Sequence, residues 1–334
     1  MTRPDPTRAD PALVVGDLSE EELLARIFPL LPAGSSTLVG PGDDAAVVQA
    51  PDGRVVISTD VLVEGRHFRR DWSSGADVGW RAAVQNLADV VAMGARPTAM
   101  VVALVAPPDL RVDWVTGLAR GLAEACGRHD VGVVGGDLSG GDAVVVSVTV
   151  HGDLAGHAPV LRSGARPGDV VGHAGVCGWS AAGLALLAAG AGHVSPPLVA
   201  AYLRPDPPLG AGGAAVDAGA TSMLDVSDGL LRDAGRLARA SGVVLDLDRV
   251  PGAFGADLVA LREAASATGI TAEDWVLSGG EDHGLLATFP AGSGLPAPFR
   301  PVGRVLAAGA DGPGVLVGGA APTTASPGWD HFAR

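Results

Sequence analysis

Asp225-Val226-Ser227-Asp228-Gly229-Leu230 is the stretch of this chain that indicates most about its fold. The apolar residues before it predict a strand over residues 221–226, and the pattern after it predicts a helix over residues 230–240. The turn between them therefore carries two carboxylates and a hydroxyl at a helix start, where exposed N–H groups favour a phosphate oxygen. A helix cap made by Ser227 or Asp228 is the ordinary alternative.

Five further acidic motifs are distributed along the chain, each beside glycine or another small residue. They are Gly40-Pro41-Gly42-Asp43-Asp44, Ser58-Thr59-Asp60, Asn86-Leu87-Ala88-Asp89, Gly135-Gly136-Asp137 and Gly279-Gly280-Glu281-Asp282. Carboxylates gathered in one place repel one another, so a fold that gathers them needs cations, and oxygen ligands suit Mg²⁺ or Ca²⁺. Several such cations on one surface indicate a polyphosphate.

Most of these motifs also have an ordinary structural explanation. Gly, Pro and Asp are common in turns, which covers residues 40–44 and Gly-Gly-Asp, and a strand predicted over residues 55–59 places Ser58-Thr59-Asp60 at its end. Asp89 is more informative, because a carboxylate inside an apolar helix predicted over residues 77–93 has no capping role. His67, next to Phe68, is as compatible with a packed core histidine as with a ligand contact.

Composition excludes several classes of function. The chain has 334 residues, 47% of them hydrophobic, which is enough for two domains. Its net charge of −14 argues against nucleic acid or an anionic membrane surface as a partner. It contains no lysine, although P-loop enzymes and protein kinases both place a lysine on the phosphates. Cys126 and Cys177 lie far apart without a disulfide or zinc pattern, which fits a reducing cytoplasm. No apolar run approaches the roughly 20 residues that cross a bilayer.

The periodicity predicts an α+β first half and an α/β second half. Residues 1–18 are expected to form a flexible tail, and a helix over residues 19–28 begins at Ser19 with Glu22 at the capping-box position. Further predicted elements of the first half are strands over 99–105, 131–134 and 143–151 and a helix over 112–128. Those of the second half are strands over 169–174, 243–247 and 285–289 and helices over 180–189, 197–204 and 257–267. Residues 152–168 lack periodicity and are the expected crossover between domains.

Taken together, the motifs resemble the thiamine-monophosphate kinases, a family of the superfamily that also contains aminoimidazole ribonucleotide synthetase and selenophosphate synthetase. Further shared motifs are Gly65-Arg66-His67-Phe68, Met93-Gly94-Ala95, the segment 162–169 and the terminal Gly328-Trp329-Asp330-His331-Phe332. The resemblance implies a two-domain α+β fold, with an N-terminal α+β domain over residues 19–151 that forms a dimeric β-barrel and binds ATP and Mg²⁺. It also implies a C-terminal α/β domain over residues 152–334 that completes the active-site cleft.

The same resemblance implies a cytoplasmic, homodimeric enzyme that moves the γ-phosphoryl group of ATP onto thiamine monophosphate with several Mg²⁺ ions. The implied metal ligands are Asp44, Ser58, Thr59, Asp60, Asp89, Asp137, Asp225 and Asp228. The implied contacts to ATP are Gly136, Asp137, Arg162 and Ser227. The implied contacts to thiamine monophosphate are His67, Glu281 and Trp329, with Trp329 offering an aromatic face to a cationic ring.

Two positions depart from the family pattern. His283-Gly284 stands where relatives usually carry Tyr-Glu, which bears on the detail of the substrate pocket, and Pro41 replaces a common aliphatic residue. Neither position touches the implied metal ligands.

Other functions are disfavoured by specific residues. Selenophosphate synthetases need a reactive Cys or selenocysteine and a Lys near the amino end, and the hydrogenase-maturation relatives end in a Cys-bearing tail; this chain has neither. Aminoimidazole ribonucleotide synthetase is disfavoured by the Gly-x-His-Phe motif and by the chain ending. A Ca²⁺-stabilised structural module is the alternative from another class, but no D-x-[DN]-x-[DN]-G loop is present.

Overall fold

The computed structural model describes residues 13–41, 45–324 and 328–329. The chain divides into two compact units, the first made of Met1–Val90 and Arg96–Ala155 and the second of Val91–Ala95 and Gly156–Arg334. The division at residues 155–156 lies within the segment predicted as the crossover. The short segment Val91–Ala95 groups with the second unit, which the prediction of one continuous domain over residues 19–151 did not include.

The first unit is built around a four-stranded sheet with the strand order β3-β6-β4-β5. Strand β6 runs antiparallel to β3 and to β4, and β5 runs parallel to β4. Strands β1 and β2 form a separate two-stranded ladder. The elements from α1 to β6 are α1 Glu20–Ile27, β1 Thr37–Val39, β2 Val47–Val48, β3 Val56–Val63, α2 Gly75–Ala92, β4 Arg96–Ala106, α3 Val112–Gly127, β5 Gly132–Gly140 and β6 Val145–Asp153.

The helix starts follow side-chain capping. Ser19 caps α1 and forms the predicted capping box with Glu22, as the backbone N–H of each residue donates to the side chain of the other. Helix α2 begins two residues earlier than predicted, because Ser74, and not Asp77, occupies the cap. The Ser74 hydroxyl accepts from the Asp77 N–H at 3.3 Å, and the Asp77 carboxylate accepts from the Ser74 N–H at 3.0 Å.

Two strands are longer than predicted, and this changes where two motifs lie. Strand β3 extends to Val63, so Ser58-Thr59-Asp60 lies inside an edge strand and not at its end. Strand β5 continues to Gly140 because its parallel pairing with β4 persists to that residue. Gly135-Gly136-Asp137 is therefore also inside a strand, and the prediction that it follows a strand end was wrong.

Helices α2 and α3 approach each other at backbone distance through glycines spaced by four residues, Gly75 and Gly79 on α2 and Gly117 and Gly121 on α3. A Cβ atom at Gly121 would overlap the carbonyl oxygen of Ala76 and lie 2.7 Å from the backbone nitrogen of Trp80. Only glycine fits at such a crossing. The close approach fixes the position of α2, which carries Asp89.

The second unit contains a six-stranded sheet with the order β12-β9-β11-β7-β10-β8. Every neighbouring pair is antiparallel except β12 with β9, which is parallel. The strands are β7 Val170–Ala174, β8 Ser222–Val226, β9 Val243–Leu247, β10 Gly284–Phe289, β11 Arg300–Ala307 and β12 Gly314–Val317. The helices are α4 Trp179–Ala188, α5 Pro196–Leu203, α6 Ala211–Asp217, α7 Leu230–Ser241, α8 Val250–Ala253, α9 Gly255–Thr268 and α10 Ala272–Ser278.

The core of the second unit lies between this sheet and its helices. Helix α7 has the clearest amphipathic pattern, since Leu230, Leu237 and Ala238 are buried in the core while Arg239 is exposed near its end. This stripe follows the spacing expected of a helix that packs one face on a sheet. Within the ranges given above, no helix combines the length and the apolar character needed to span a membrane.

A buried histidine in β7 predicts acid sensitivity. His173 is fully buried, and burial, followed by the charge of Arg300, lowers its pKa to about 3. The unfolded chain therefore binds one more proton than the folded protein between about pH 3 and pH 6.5, so stability is complete above pH 6.5 and falls as the pH drops. We expect urea unfolding to lose about 1.4 kcal/mol per pH unit from this residue below pH 6.5.

The measurement compares the pH dependence of the unfolding free energy in the wild type and in His173→Leu. The variant should lose this contribution, whereas His193→Gln, which changes an exposed histidine, should keep it. An unchanged slope in His173→Leu would contradict the prediction.

Candidate active site

The first unit brings three of the expected residues together at β3 and α2. The Ser58 hydroxyl donates to Asp89 Oδ2 at 2.7 Å, and the Gln85 amide donates to Asp60 Oδ2 at 3.3 Å. Ser58 and Asp60 share one face of β3 because they are two residues apart. We call Ser58, Asp60, Gln85 and Asp89 the first acidic cluster. The structure thus places the carboxylates of two motifs, 29 positions apart in sequence, beside one helix.

Asn86 adds a buried oxygen one helical turn before Asp89. Its side chain is 1% exposed, and its Nδ2 donates to the Ala82 carbonyl at 2.8 Å. Its Oδ1 has no hydrogen-bond partner among the described residues. An unsatisfied buried acceptor is rare in a folded protein, so this oxygen indicates that the face of α2 around Asp89 suits a ligand.

Not every residue expected in the first unit joins this cluster. The Thr59 side chain lies on the opposite face of β3, where its hydroxyl donates to the Val148 carbonyl at 2.9 Å and accepts from Thr149 at 3.0 Å. Gly136 and Asp137 lie on β5, at the other edge of the sheet from β3. Asp44 lies outside the described residues.

His67 lies four residues after the end of β3, and a backbone hydrogen bond fixes its tautomer. The Val63 N–H donates to His67 Nδ1 at 2.9 Å. A nitrogen that accepts a hydrogen bond carries no proton, so the proton of the neutral ring is on Nε2, which can act as a donor. In the neutral ring, Nε2 is therefore the nitrogen that can donate a hydrogen bond.

In the second unit, two loops pack backbone against backbone. The Glu281 N–H donates to the Ser227 carbonyl at 2.8 Å, and the His283 N–H donates to the Val226 carbonyl at 3.1 Å. A Cβ atom at Gly280 would overlap the Ser227 carbonyl oxygen, so this loop requires glycine there. The turn after β8 and the segment before β10 are therefore in contact. We call their residues Asp225, Ser227, Asp228, Glu281 and His283 the second acidic cluster.

Asp228 is held from two sides within this cluster. Arg236 donates to Asp228 Oδ2 and to Asp233 Oδ1, each at 2.6 Å, and Asp233 Oδ2 accepts from the Asp228 N–H at 2.9 Å. Burial raises the pKa of Asp233 to about 6, against the lowering effects of that N–H and of Arg236. Burial lowers the pKa of Arg236. The hydrogen bonds to Asp228 and Asp233, together with the charges of these carboxylates, outweigh that effect and raise it.

The chain end adds an aromatic ring to the same cluster. The Trp329 N–H donates to the Asp228 carbonyl at 2.8 Å, and 57% of the Trp329 residue is exposed. The indole is therefore fixed at its backbone beside Asp228 while its ring remains accessible. This places two of the expected residues, one for metal and one for substrate, in direct contact.

Glu281 and Asp282 are neighbours with different tasks. Asp282 is buried and accepts from the Gly178 N–H at 2.5 Å and the Ser180 N–H at 2.8 Å, so it holds the start of α4. Burial raises its pKa to about 7, despite the opposing effect of those two N–H groups. Asp282 therefore stabilises the fold by holding the start of α4. Glu281, which is only half-buried, is the carboxylate of the pair that is accessible to a ligand.

Arg162 lies before β7, and no ion pair or side-chain hydrogen bond engages its guanidinium in the part of the chain that the structure describes. Its carbonyl accepts from the Ser241 hydroxyl at 2.8 Å. The structure places Arg162 in the same unit as Ser227 and Asp228 but gives no contact between them.

Sequence reasoning missed three residues that shape these clusters, Gln85, Asp233 and Arg236. It noted His283 as a departure from the family pattern but missed its contact with Asp225. The sequence did contain one usable signal, because Asp233 and Arg236 are three residues apart on a predicted helix and follow Asp228 closely. Gln85 and His283 are joined to Asp60 and Asp225 only through the tertiary fold.

The side-chain oxygens of both clusters are suitable ligands for Mg²⁺. No group of three or more His, Cys, Asp or Glu side chains forms a metal site by itself within the described ranges. Mg²⁺ does not need such a group, since it usually takes one or two carboxylates, substrate phosphates and water. The first acidic cluster offers two carboxylates and a hydroxyl, all of them oxygen donors, and the second offers Asp225 and Asp228.

Comparison with known proteins identifies the family. Residues 42–154 match the family model of the AIR synthase related protein, N-terminal domain. The thiamine-monophosphate kinase of Mycobacterium tuberculosis strain H37Rv is 46% identical over 334 residues, which cover 100% of this chain and 98% of the relative. The chain belongs to the thiamine-monophosphate kinase family. The resemblance inferred from the motifs is thereby confirmed.

Two further members of the family give the same result. The thiamine-monophosphate kinase of Corynebacterium glutamicum is 44% identical over 316 residues, with 91% of each chain covered. The solved structure of AaThiL complexed with AMPPCP and TMP aligns with a TM-score of 0.74 at 32% identity, covering 96% of this chain and 99% of that one. The predicted two-domain fold of the AIR synthase type, with mixed helices and sheets, is confirmed by these matches.

Proposed function

We propose that this protein transfers the γ-phosphoryl group of ATP to the phosphate of thiamine monophosphate, giving thiamine diphosphate and ADP. The observation that carries the proposal is the full-length similarity to thiamine-monophosphate kinases, at 46% identity. The geometry supports it, because both units hold carboxylates at positions that match the family motifs. The solved relative in complex with AMPPCP and TMP binds the corresponding ligands.

The reaction needs no general base. An oxygen of the thiamine monophosphate phosphate is already anionic at neutral pH; it forms the new bond to the γ-phosphorus while the bond from that phosphorus to the β-bridging oxygen breaks. The protein therefore contributes alignment of attacking and leaving oxygens and compensation of negative charge. Arg162 is proposed as a cationic contact to ATP, with Gly136 and the Ser227 hydroxyl as further contacts.

We propose that Asp44, Ser58, Asp60, Asp89 and Asp137 in the first unit, and Asp225 and Asp228 in the second, hold several Mg²⁺ ions. The expected ligand Thr59 is left out of this set, because its hydroxyl lies on the opposite face of β3 and is bonded there. When bound, Mg²⁺ neutralises the charge of two anionic substrates that would otherwise repel each other. Ser58 orients the Asp89 carboxylate through its 2.7 Å hydrogen bond, and Gln85 does the same for Asp60.

Thiamine monophosphate is proposed to contact His67, Glu281 and Trp329. The His67 ring can donate Nε2–H to a phosphate oxygen because Val63 occupies Nδ1. The exposed ring of Trp329 suits a cationic aromatic ring by cation–π attraction, and the Glu281 carboxylate supplies an opposite charge.

The proposed function is tested by ADP release, measured in parallel with thiamine monophosphate, thiamine and an aminoimidazole-ribonucleotide precursor as acceptors. We expect ADP only with thiamine monophosphate. Turnover with the aminoimidazole precursor and none with thiamine monophosphate would assign the protein to another branch of the superfamily. Metal binding without any ATP consumption would favour a structural metal-binding module.

Transfer is expected to be direct. Because the acceptor oxygen and the γ-phosphoryl group can be aligned in one complex, no side chain has to carry the phosphoryl group. We expect no protein-bound label after mixing the enzyme with γ-³²P-labelled ATP in the absence of thiamine monophosphate. A labelled protein whose label passes to thiamine monophosphate at the rate of turnover would refute direct transfer.

We also propose a homodimer formed through residues 19–151, by closure of the first sheet with that of a second copy. The face of β3 opposite the first acidic cluster supports this, since Ile57 is 61% exposed and Val61 is 45% exposed. Alternating apolar residues exposed on an edge strand are unfavourable in water. A cytoplasmic location is proposed as well, supported by the free thiols of Cys126 and Cys177.

A further inference from the structure

His283 lies where the family pattern is broken, and its ring is not on the surface. It is the residue before β10, it is 5% exposed, and its N–H is bonded to the Val226 carbonyl. Leu285 pairs with Asp225 across the β10–β8 ladder, so the loop that carries His283 runs alongside the strand that carries Asp225. The sequence alone related this departure to the substrate pocket, whereas the structure relates it to an expected metal ligand.

The contact between the two side chains has a defined direction. His283 Nδ1 lies 3.3 Å from Asp225 Oδ2, and both side chains are 6% exposed. A carboxylate can only accept, so Nδ1 must carry the proton and donate. No second hydrogen bond to the Asp225 carboxylate occurs in the described part of the chain, so Oδ1 remains for a cation.

The backbone of this loop is held in an unusual conformation. Four non-glycine residues have a left-handed backbone in the described ranges, and two of them are Glu281 with φ 72° and His283 with φ 54°. Such conformations have an energetic cost and persist where the surroundings enforce them, commonly at functional sites. Glycine would adopt this φ without cost, so a histidine at position 283 points to a use for the imidazole.

We propose that His283 is a positioning residue for Asp225: by holding Oδ2, it orients Oδ1 toward Mg²⁺. This inference rests on the proposed function, because it assumes that Asp225 binds the metal. Metal-ligating groups are commonly oriented by a second hydrogen-bonded residue, and loss of that residue weakens metal affinity by about 10- to 100-fold. A histidine that is hydrogen-bonded to Asp225 would act in this way through the carboxylate.

The test uses the full-length protein with Mn²⁺ as the probe and AMPPCP as the nucleotide, with free Mn²⁺ followed by electron paramagnetic resonance. His283→Leu removes the donor at similar size and should weaken the weakest resolved Mn²⁺ site about tenfold or more. His283→Asn places an amide N–H near Nδ1 and tolerates a left-handed backbone. It should stay within about threefold of the wild type.

Activity gives a second, separate readout. The Mg²⁺ concentration for half-maximal turnover should rise about tenfold in His283→Leu, while the KM for thiamine monophosphate stays unchanged. A merely structural role would change thermal stability in both variants and leave Mn²⁺ affinity intact. Should His283→Leu fail to fold, His283→Ala removes the same donor with less steric demand.

Asp225→Asn distinguishes the proposed metal role of Asp225 from the positioning role of His283. If Asp225→Asn leaves Mn²⁺ binding unchanged, the proposed metal role of Asp225 fails. If Asp225→Asn weakens Mn²⁺ binding but His283→Leu and His283→Ala do not, the positioning role of His283 is overturned and the proposed function stands. Equal losses in His283→Asn and His283→Leu would also overturn it.

Discussion

Asp89→Asn is expected to lower kcat by at least about 100-fold while leaving the protein folded. The substitution removes a charge from the first acidic cluster, where Asp89 accepts from Ser58 at 2.7 Å. The asparagine oxygen can still accept that hydrogen bond, so the contact between β3 and α2 survives. The loss should therefore be catalytic and should be largest at limiting Mg²⁺. We expect the same direction for Asp137→Asn.

Steady-state kinetics across a Mg²⁺ titration, together with thermal unfolding, measure this effect. Asp109→Asn is the matched control, because it makes the same chemical change at an exposed position of the same unit. Among the residues that the structure describes, none forms a hydrogen bond with the Asp109 side chain. This variant should retain wild-type kinetics. Near-normal turnover of Asp89→Asn at limiting Mg²⁺ would show that this carboxylate serves no cation.

Local signals in the sequence predicted the parts of the fold that local physics controls. The Ser19 capping box is such a case, since the two residues that form it are three positions apart and their hydrogen bonds depend on helix geometry alone. Asp89 was also identified correctly as a carboxylate inside an apolar helix, although the structure places it in the last turn of α2. Its hydrogen bond with Ser58 could not be predicted, because 31 positions separate the two residues and only the tertiary fold brings them together.

The errors occurred where pairing with a distant strand outweighs local preference. Gly-Gly-Asp favours a turn, yet β5 continues through Gly136 and Asp137 because β4 supplies hydrogen-bond partners up to Gly140. The prediction also omitted β1, β2, β11, β12, α6, α8 and α10. Of these, β11 contains Pro301 and Gly303 and resembles a loop by composition. Its place between β7 and β9 stabilises it as a strand.

Position 121 shows how the same long-range packing supports the candidate site. Gly121→Ala is expected to lower the unfolding free energy by roughly 3 kcal/mol or more, because the new methyl group would overlap the Ala76 carbonyl and crowd the Trp80 nitrogen. The neighbouring atoms are backbone and cannot rotate away, so α2 must move as a body. Helix α2 carries Asp89, and a shift of about 1 Å can reduce turnover by about 100-fold.

Chemical unfolding measures the first effect, and kinetics at a temperature where the variant remains folded measure the second. Gly127→Ala is the control in the same helix, since a Cβ atom there meets nothing within 4 Å. Alanine is the better helix former, so this variant should equal or exceed the wild type in stability. If Gly121→Ala were as stable and as active as Gly127→Ala, the backbone contact between α2 and α3 would not be what fixes Asp89 against β3.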